Sequence, residues 1–106
     1  MNNAFQTITP QQAKAMMEAN PNCLILDVRE IEEYITGHVD EALPFTLSEI
    51  DAASAREMIE SPDSLVLVYC RTGKRSRQAA AKLAALGYTN VYDFGGLESW
   101  PYGLYY

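Results

Sequence analysis

The strongest constraint on the fold is an apolar run at residues 65–69, which Cys70 follows directly. The run is Leu-Val-Leu-Val-Tyr, and it lies between a breaker at residues 61–64 and Gly73. A short run of this kind predicts a strand that is buried on both faces. Apolar residues then recur at helical spacing as far as Gly87, with Ser76 as the predicted N-cap. We therefore predict that Cys70 ends a buried strand and that a loop at residues 71–75 leads into a helix.

The predicted loop concentrates positive charge beside the cysteine. Arg71, Lys74, Arg75 and Arg77 belong to a chain that has only eight basic residues and a formal net charge of −6. Backbone N–H groups that curl from a strand end into a helix start bind anions and stabilise a thiolate. We therefore expect a reactive sulfur here that meets a small anion.

The composition favours one soluble domain and argues against several classes of partner. At 106 residues the chain can bury one sheet-centred core. No apolar run approaches the roughly 20 residues that span a bilayer. A pI near 4.6 with the basic residues gathered in one loop disfavours nucleic acid and anionic membranes. Residues 1–6 lack the basic start and apolar core of a signal peptide, which favours the cytoplasm.

The two cysteines, Cys23 and Cys70, are predicted to lie apart on different strands. They are too few for a disulfide scaffold, and a reducing compartment suits them. Cys23 is expected at the opposite end of its strand from the charged loop, as an inert buried thiol.

Strand and helix patterns alternate along the chain. Strands are predicted at about residues 5–8, 23–28, 42–45, 65–70 and 91–94. Capping boxes beginning at Thr9 and Thr46 predict helices that end near residues 20 and 60, and a short helix is predicted at residues 30–36. Gly95-Gly96 is predicted to form a turn, with one helical turn after it. This alternation predicts an α/β fold with a mostly parallel sheet and helices on both faces.

Three polar residues invite functional interpretations, but structural ones fit them better. Asp27 and Arg29 fall where a predicted strand leaves the sheet, and we expect them to pair with each other or with loop backbone. His38, the only histidine, follows a short helix, where a hydrogen bond to backbone is commoner than pairing with a cysteine nucleophile. The aromatic residues after position 99 are expected to serve packing or to form a frayed end, and not to bind a ligand.

Three ordered motifs resemble a known family. The segment Cys-Arg-Thr-Gly-Lys-Arg-Ser at residues 70–76, between a hydrophobic strand and an alanine-rich helix ending in Leu-Gly-Tyr, resembles the active-site loop of single-domain rhodanese-type sulfurtransferases. The segments at residues 24–39 and 90–100 are similar to the family's first and last signatures. One departure stands at residues 40–42, where Asp-Glu-Ala replaces the family's usual Pro-Gly-Ala turn. The resemblance implies one rhodanese domain over residues 1–106, with a five-stranded sheet.

The resemblance also implies a function for the loop. Cys70 would be the nucleophile that takes sulfur from thiosulfate as a persulfide and passes it to a thiophilic acceptor, which is cyanide in vitro and a thiol or dithiol in the cell, such as a thioredoxin-like protein. Arg71, Thr72, Gly73, Lys74, Arg75 and Ser76 would bind the substrate. The helix N-terminus and the cations should lower the thiol pKa from about 8.5. No metal or organic cofactor is required, and a monomer is expected.

Two other functions are compatible with such a loop. Cysteine phosphatases and arsenate reductases use a similar loop, but theirs is Cys-x5-Arg, whereas here the arginine comes at Cys-x4-Arg. A persulfide carrier or regulatory module that serves a partner enzyme would also retain Cys70. Relatives that use 3-mercaptopyruvate carry small neutral residues where Arg71 stands, so thiosulfate is the expected donor.

Overall fold

A computed structural model describes residues 4–106 of the chain and is organised around one five-stranded sheet. The strands are β1 (Gln6–Thr7), β2 (Leu24–Asp27), β3 (Leu43–Pro44), β4 (Val66–Cys70) and β5 (Val91–Gly96). Their order across the sheet is β1-β5-β4-β2-β3, and every neighbouring pair is parallel. The predicted sheet is confirmed, including the edge strand near residue 6.

Helices cover both faces of this sheet, as predicted. They are α1 (Pro10–Ala19), α2 (Ile31–Tyr34), α3 (Ala52–Met58) and α4 (Lys74–Ala85). One core contains Ala13 of α1 and the partly buried Tyr34 of α2, and the other contains Ala55 of α3 and Leu83 of α4. Within residues 4–106, none of these helices has the length and apolar character that crossing a membrane requires.

Strand β4 lies at the centre of the sheet, and all of its side chains are buried. Because successive side chains of a strand point to opposite faces, its residues divide between the two cores. Val66, Val68 and Cys70 belong to the core beneath α3 and α4, whereas Leu67 and Tyr69 belong to the core beneath α1. This alternation directs the Cys70 side chain to the face that α4 covers.

The predicted first helix is confirmed together with its capping box. The Thr9 hydroxyl accepts the Gln12 N–H at 3.0 Å, and the Gln12 side chain accepts the Thr9 N–H at 2.9 Å. Pro10 occupies the first turn, where its missing N–H costs no hydrogen bond.

The prediction of one continuous helix from Thr46 to about residue 60 is wrong. A short 3₁₀ helix at Leu47–Glu49 is followed by extended backbone at Ile50, and α3 then begins after Asp51. Thr46 does not cap, because its hydroxyl donates to the Arg29 carbonyl at 3.0 Å. The Asp51 carboxylate instead accepts the Ser54 N–H at 2.8 Å. Ile50, which lies between the 3₁₀ helix and α3, is 1% exposed, so the chain buries this side chain where the helix is interrupted.

The predicted helix at residues 30–36 is shorter than expected, because α2 ends at Tyr34. Of the three large apolar residues in the predicted segment, Ile31 and Ile35 are 48% and 66% exposed. Tyr34 alone of the three packs against a core, and its hydroxyl donates to the Ala42 carbonyl at 2.6 Å.

Asp27 and Arg29 form a buried ion pair, which confirms their structural role. The Arg29 guanidinium donates to both Asp27 carboxylate oxygens, at 2.7–3.1 Å, and to the Gly37 carbonyl at 2.8 Å. The Tyr69 hydroxyl also donates to Asp27, at 2.6 Å, and accepts the Val39 N–H. Burial and the Asp27 carboxylate raise the pKa of Tyr69, so it stays a neutral donor. The network ties the end of β2 to β4 and to the segment after α2.

Of the C-terminal aromatic residues, Trp100 and Tyr102 pack, whereas Tyr105 and Tyr106 are 53% and 88% exposed. Trp100 lies against Phe94 of β5 with ring centroids 5.2 Å apart, and Tyr102 meets the Trp100 ring edge-on at 4.9 Å. Tyr105 exchanges backbone hydrogen bonds with His38 at 2.8 and 2.9 Å. The segment thereby covers part of the α1 face.

The departure from the usual Pro-Gly-Ala turn places a strained residue at position 41. Glu41 has φ +67°, and it is the one residue other than glycine with positive φ in the described part of the chain. This conformation costs a side-chain-bearing residue about 1–2 kcal/mol, whereas glycine adopts it freely.

We expect Glu41→Gly to raise the free energy of unfolding by about 0.5–1 kcal/mol, since relief of the strain exceeds the added chain entropy of glycine. Chemical denaturation would measure the change. Asp40→Gly is the matched control, because Asp40 is an exposed neighbour without positive φ and should lose stability. A loss of stability in Glu41→Gly would contradict the assignment of strain.

Candidate active site

Cys70 ends β4, and only Arg71, Thr72 and Gly73 separate it from α4. The helix therefore begins at Lys74, and the prediction of Ser76 as its N-cap is wrong. Gly73 takes this place with φ +101°, a left-handed conformation that turns the chain sharply from strand to helix. Its carbonyl already accepts the Arg77 N–H at 3.2 Å. The first N–H groups of α4 are consequently brought beneath the cysteine.

The Cys70 sulfur lies within this turn and is surrounded by donors. The residue is 1% exposed, its Sγ accepts the Gly73 N–H at 3.0 Å, and the Ser76 Oγ is 3.5 Å away. Burial raises the thiol pKa, but hydrogen bonds from the Ser76 hydroxyl and from the N–H groups of Ser76, Gly73 and Thr72 outweigh it. The pKa of Cys70 therefore lies below its ordinary value, which is the predicted direction, with hydrogen bonds and not the loop cations as the main causes that lower it. The helix N-terminus contributes through these N–H groups.

Ser76 is fully buried within the first turns of α4. Its hydroxyl oxygen lies 2.7 Å from a carboxylate oxygen of Asp93 on β5. The hydroxyl thus lies between the sulfur and a second strand, on the inner side of the turn. Asp93 is not among the residues predicted from the sequence, although a carboxylate in a strand with buried neighbours is a recognisable signal.

The cations of the loop occupy two kinds of position. Arg71, Lys74 and Arg77 are exposed. Arg75 is partly buried, and its guanidinium donates to both carboxylate oxygens of Glu33, at 2.7 and 2.9 Å. The Arg75 charge therefore ties α4 to α2, while Arg71 and Lys74 remain exposed beside the cysteine.

The Arg75–Glu33 pair gives a pH-dependent contribution to stability. The bidentate hydrogen bond from Arg75 lowers the pKa of Glu33 from 4.5 to about 2. A carboxylate whose pKa is depressed in the folded state stabilises the fold above its unfolded pKa. That contribution is lost as the pH falls from 4.5 towards 2.

We expect Glu33→Gln to lower the free energy of unfolding by about 1 kcal/mol at pH 7, because both side chains are about a third exposed and screened by water. Glutamine keeps the acceptor for the Glu30 N–H, so the substitution chiefly removes the charge. Denaturation at a series of pH values should show the difference from wild type shrinking below pH 4.5. Glu32→Gln, an exposed neighbour, should show no such trend. A difference that stays constant with pH would exclude the ion pair as its cause.

The loop after Cys70 rests directly on the end of β5. Gly95 and Gly96 belong to that strand, so their prediction as a turn is wrong. The register of β4 and β5 shifts between Val68 and Cys70, which places Cys70 opposite Gly96. A Cβ atom on Gly96 would overlap the Arg71 carbonyl and stand 2.6 Å from the Thr72 Cα. Only glycine lets the loop approach β5 this closely.

His38 has structural contacts, as expected. Its Nδ1 lies 3.1 Å from the Tyr34 carbonyl, and its ring stacks on the Tyr34 ring at 4.0 Å. Within residues 4–106, no three His, Cys, Asp or Glu side chains are grouped as metal ligands would be. Cys23 lies just before β2 and is partly exposed, so its prediction as a buried thiol is wrong.

Comparisons with known proteins agree with the observed fold. A model of the rhodanese-like domain family matches residues 9–101. The thiosulfate sulfurtransferase GlpE of Pseudomonas entomophila is 33% identical over 99 residues, which cover 91% of this chain and 84% of that protein. The thiosulfate sulfurtransferase PspE of Escherichia coli is 38% identical, with 69% of each chain covered. The crystal structure of a rhodanese-like domain protein from Staphylococcus aureus superposes with a TM-score of 0.80 at 25% identity, over 94% of this chain and 96% of that one.

Proposed function

The chain belongs to the rhodanese-like domain family, and from this premise we propose that it is a thiosulfate sulfurtransferase whose nucleophile is Cys70. The observation that carries the proposal is the Cys70 sulfur held at the start of α4, with the Gly73 N–H at 3.0 Å and a lowered pKa. The names of the related proteins support the same activity.

The reaction divides into two transfers of one sulfur atom. The Cys70 thiolate attacks the outer sulfur of thiosulfate, the S–S bond of the donor breaks, and sulfite leaves with that electron pair. The resulting persulfide carries negative charge that the N–H groups around the Cys70 sulfur stabilise. A thiolate or cyanide then attacks the outer sulfur and releases the Cys70 thiolate. In the cell we propose a thiol or dithiol acceptor in a reducing, cytoplasmic setting.

The exposed cations suit a dianionic donor. Arg71 and Lys74 flank Thr72 and Gly73, and neither forms an ion pair within the described residues. They can hold the sulfonate end of thiosulfate while its outer sulfur meets Cys70. The Arg75 charge is already matched by Glu33, so we assign the donor contact to Arg71 and Lys74.

The decisive experiment measures sulfur uptake and release. Thiosulfate should increase the intact mass of the purified protein by one sulfur atom, and cyanide should remove that atom as thiocyanate. Catalytic turnover without any other protein distinguishes the enzyme from a carrier. Protein that gains no sulfur, or that hydrolyses p-nitrophenyl phosphate or reduces arsenate at a robust rate dependent on Cys70, would overturn the proposal.

Removing either exposed cation should weaken donor binding. We expect Arg71→Ala and Lys74→Ala each to raise KM for thiosulfate by roughly threefold to tenfold, on the order of 1 kcal/mol for an exposed charge contact. Added salt should raise KM in wild type and less so in the variants.

Steady-state kinetics with thiosulfate would measure these changes. Lys82→Ala is the control, because it removes the same charge from the last turn of α4. Equal effects in all three variants would show that net charge alone matters. Faster turnover of 3-mercaptopyruvate than of thiosulfate would refute the assignment of the donor.

A further inference from the structure

A cavity lies on the α1 face of the sheet, whereas the Cys70 side chain is directed to the α4 face. Its volume is about 270 Å³. At about 30 Å³ per water molecule, this is room for a ligand of roughly nine non-hydrogen atoms. The buried Ile25 and Val39 line it, together with the partly exposed Cys23. All of its lining residues lie outside residues 70–77, so this α1-face cavity is separate from the candidate active site.

Two aromatic rings of the C-terminal segment form one wall of the cavity. Trp100 and Tyr102 both line it and meet edge-on, with ring centroids 4.9 Å apart and ring planes 72° apart. The Lys14 ammonium already lies over the Tyr102 ring, 5.4 Å from its centroid. The faces of aromatic rings attract cations, and tryptophan attracts them most strongly. This aromatic wall is therefore suited to a positively charged group.

Carboxylates outnumber cations around the same cavity. The exposed Glu18, Asp40 and Glu41 line it, and Lys14 is the only basic residue among the described residues that do so. None of the three carboxylates forms an ion pair in the part of the chain that the structure describes. Burial, and after it the charge of Glu41, raises the pKa of Cys23, so the negative potential of Glu41 reaches a side chain that lines the cavity. Three carboxylates and one ammonium leave an excess of negative charge, which complements a cation.

We propose that the α1-face cavity binds a small organic cation, namely an amine or guanidine that carries a compact apolar or aromatic group. The apolar group contacts Ile25 and Val39, and the cation lies between the aromatic wall and the carboxylates. A pocket with apolar and aromatic lining and a few charged groups is typical of small-molecule sites. A free small molecule fits better than a partner protein, because the exposed residues around the cavity include three acidic side chains, which protein interfaces disfavour. The site requires neither Cys70 nor sulfur transfer.

Binding can be measured with phenethylamine, which is a protonated amine with one aromatic ring at pH 7. Trp100 is the only tryptophan of the chain, so its fluorescence reports on the cavity. The NMR signal of its indole N–H, which donates to the Gly103 carbonyl at 3.2 Å, gives a second readout. We expect saturable binding with a Kd on the order of 0.1–1 mM, as suits so small a ligand. The neutral 2-phenylethanol and the anionic 3-phenylpropionate have the same ring and should bind at least about tenfold more weakly.

Charge variants test the assignment by the sign of their effects. We expect Glu18→Gln and Glu41→Gln each to weaken phenethylamine binding by about twofold to fivefold, as for an exposed charge contact. Lys14→Gln should strengthen it by a similar factor, because it removes a competing cation. Effects of opposite sign cannot both arise from unfolding. Glu60→Gln, an exposed carboxylate outside the cavity, should bind as wild type does.

Several outcomes would overturn the proposal. They are the absence of phenethylamine binding, equal binding of the three probes, and a reversed order in which Lys14→Gln weakens binding and Glu41→Gln strengthens it. If a lysine-containing peptide bound where phenethylamine did not, the cavity would belong to a partner protein. Cys70→Ser should bind phenethylamine as wild type does. Loss of sulfurtransferase activity with intact amine binding would therefore count against the proposed function alone.

Discussion

In Cys70→Ser, thiosulfate should leave the intact mass unchanged, and the sulfurtransferase rate should fall on the order of 10³-fold or more, since the covalent route is lost. Serine keeps the size of the side chain and its place above the Gly73 N–H. The hydroxyl is a much weaker nucleophile than a thiolate at neutral pH, so the loss reflects chemistry and not folding. Mass spectrometry and thiocyanate formation would measure both outcomes.

Cys23→Ser is the matched control for this prediction. Cys23 lies just before β2, whereas Cys70 ends β4 in a parallel sheet, so the two thiols lie towards opposite ends of their strands. Burial and the nearby Glu41 raise the pKa of Cys23, which disfavours its thiolate. We expect Cys23→Ser to take up sulfur as wild type does. If this variant lost uptake while Cys70→Ser kept it, the assignment of the nucleophile would be reversed.

The sequence could predict the parts of the fold that depend on short patterns. The apolar run of β4 and the capping box of α1 are local signals, and both elements lie where these patterns indicate. The strand order required the family resemblance, because periodicity contains no information about which strands are neighbours. Cys70 is also at its predicted place, since strand, glycine and helix follow one another within a few residues.

The errors arise where contacts between distant residues decide the outcome. Ser76 has the side chain of an N-cap, but its hydroxyl contacts Asp93, seventeen residues away. Arg75 pairs with Glu33, forty-two residues away, and no local pattern indicates that contact. Thr46 matches a capping box locally, yet it donates to Arg29. In each case a tertiary hydrogen bond outweighs the local preference, which a single sequence does not reveal.

The site combines two kinds of electrostatic stabilisation that the sequence could not separate. The sulfur is stabilised by short hydrogen bonds from Gly73 and its neighbours, which act at close range and are buried. Arg71 and Lys74 are exposed, so their effect on a bound anion is screened by solvent. We therefore expect nucleophile reactivity to depend on the loop backbone and donor affinity to depend on these cations. Displacement of the loop should therefore reduce activity more than the loss of one of these cations.

Gly96→Ala tests that dependence directly. Gly96 has extended backbone, with φ −127°, so alanine is not strained by its own conformation. Its methyl group would instead overlap the Arg71 carbonyl and crowd the Thr72 Cα, both of which are backbone atoms. The loop must move away, which displaces the Gly73 N–H from its position 3.0 Å from the sulfur. We expect kcat/KM to fall about 10²-fold and the unfolding free energy by about 1–3 kcal/mol.

Gly87→Ala separates displacement of the loop from loss of stability. Gly87 follows α4 with φ +106°, and a Cβ atom there would meet nothing within 4 Å. This variant should lose stability through backbone strain while keeping wild-type kcat/KM in the folded protein. Thiosulfate kinetics and Cys70 alkylation, both measured well below the melting temperature of each variant, would compare the two. If Gly96→Ala kept wild-type alkylation and turnover, the loop would not need its contact with β5 to hold the Gly73 N–H at the Cys70 sulfur.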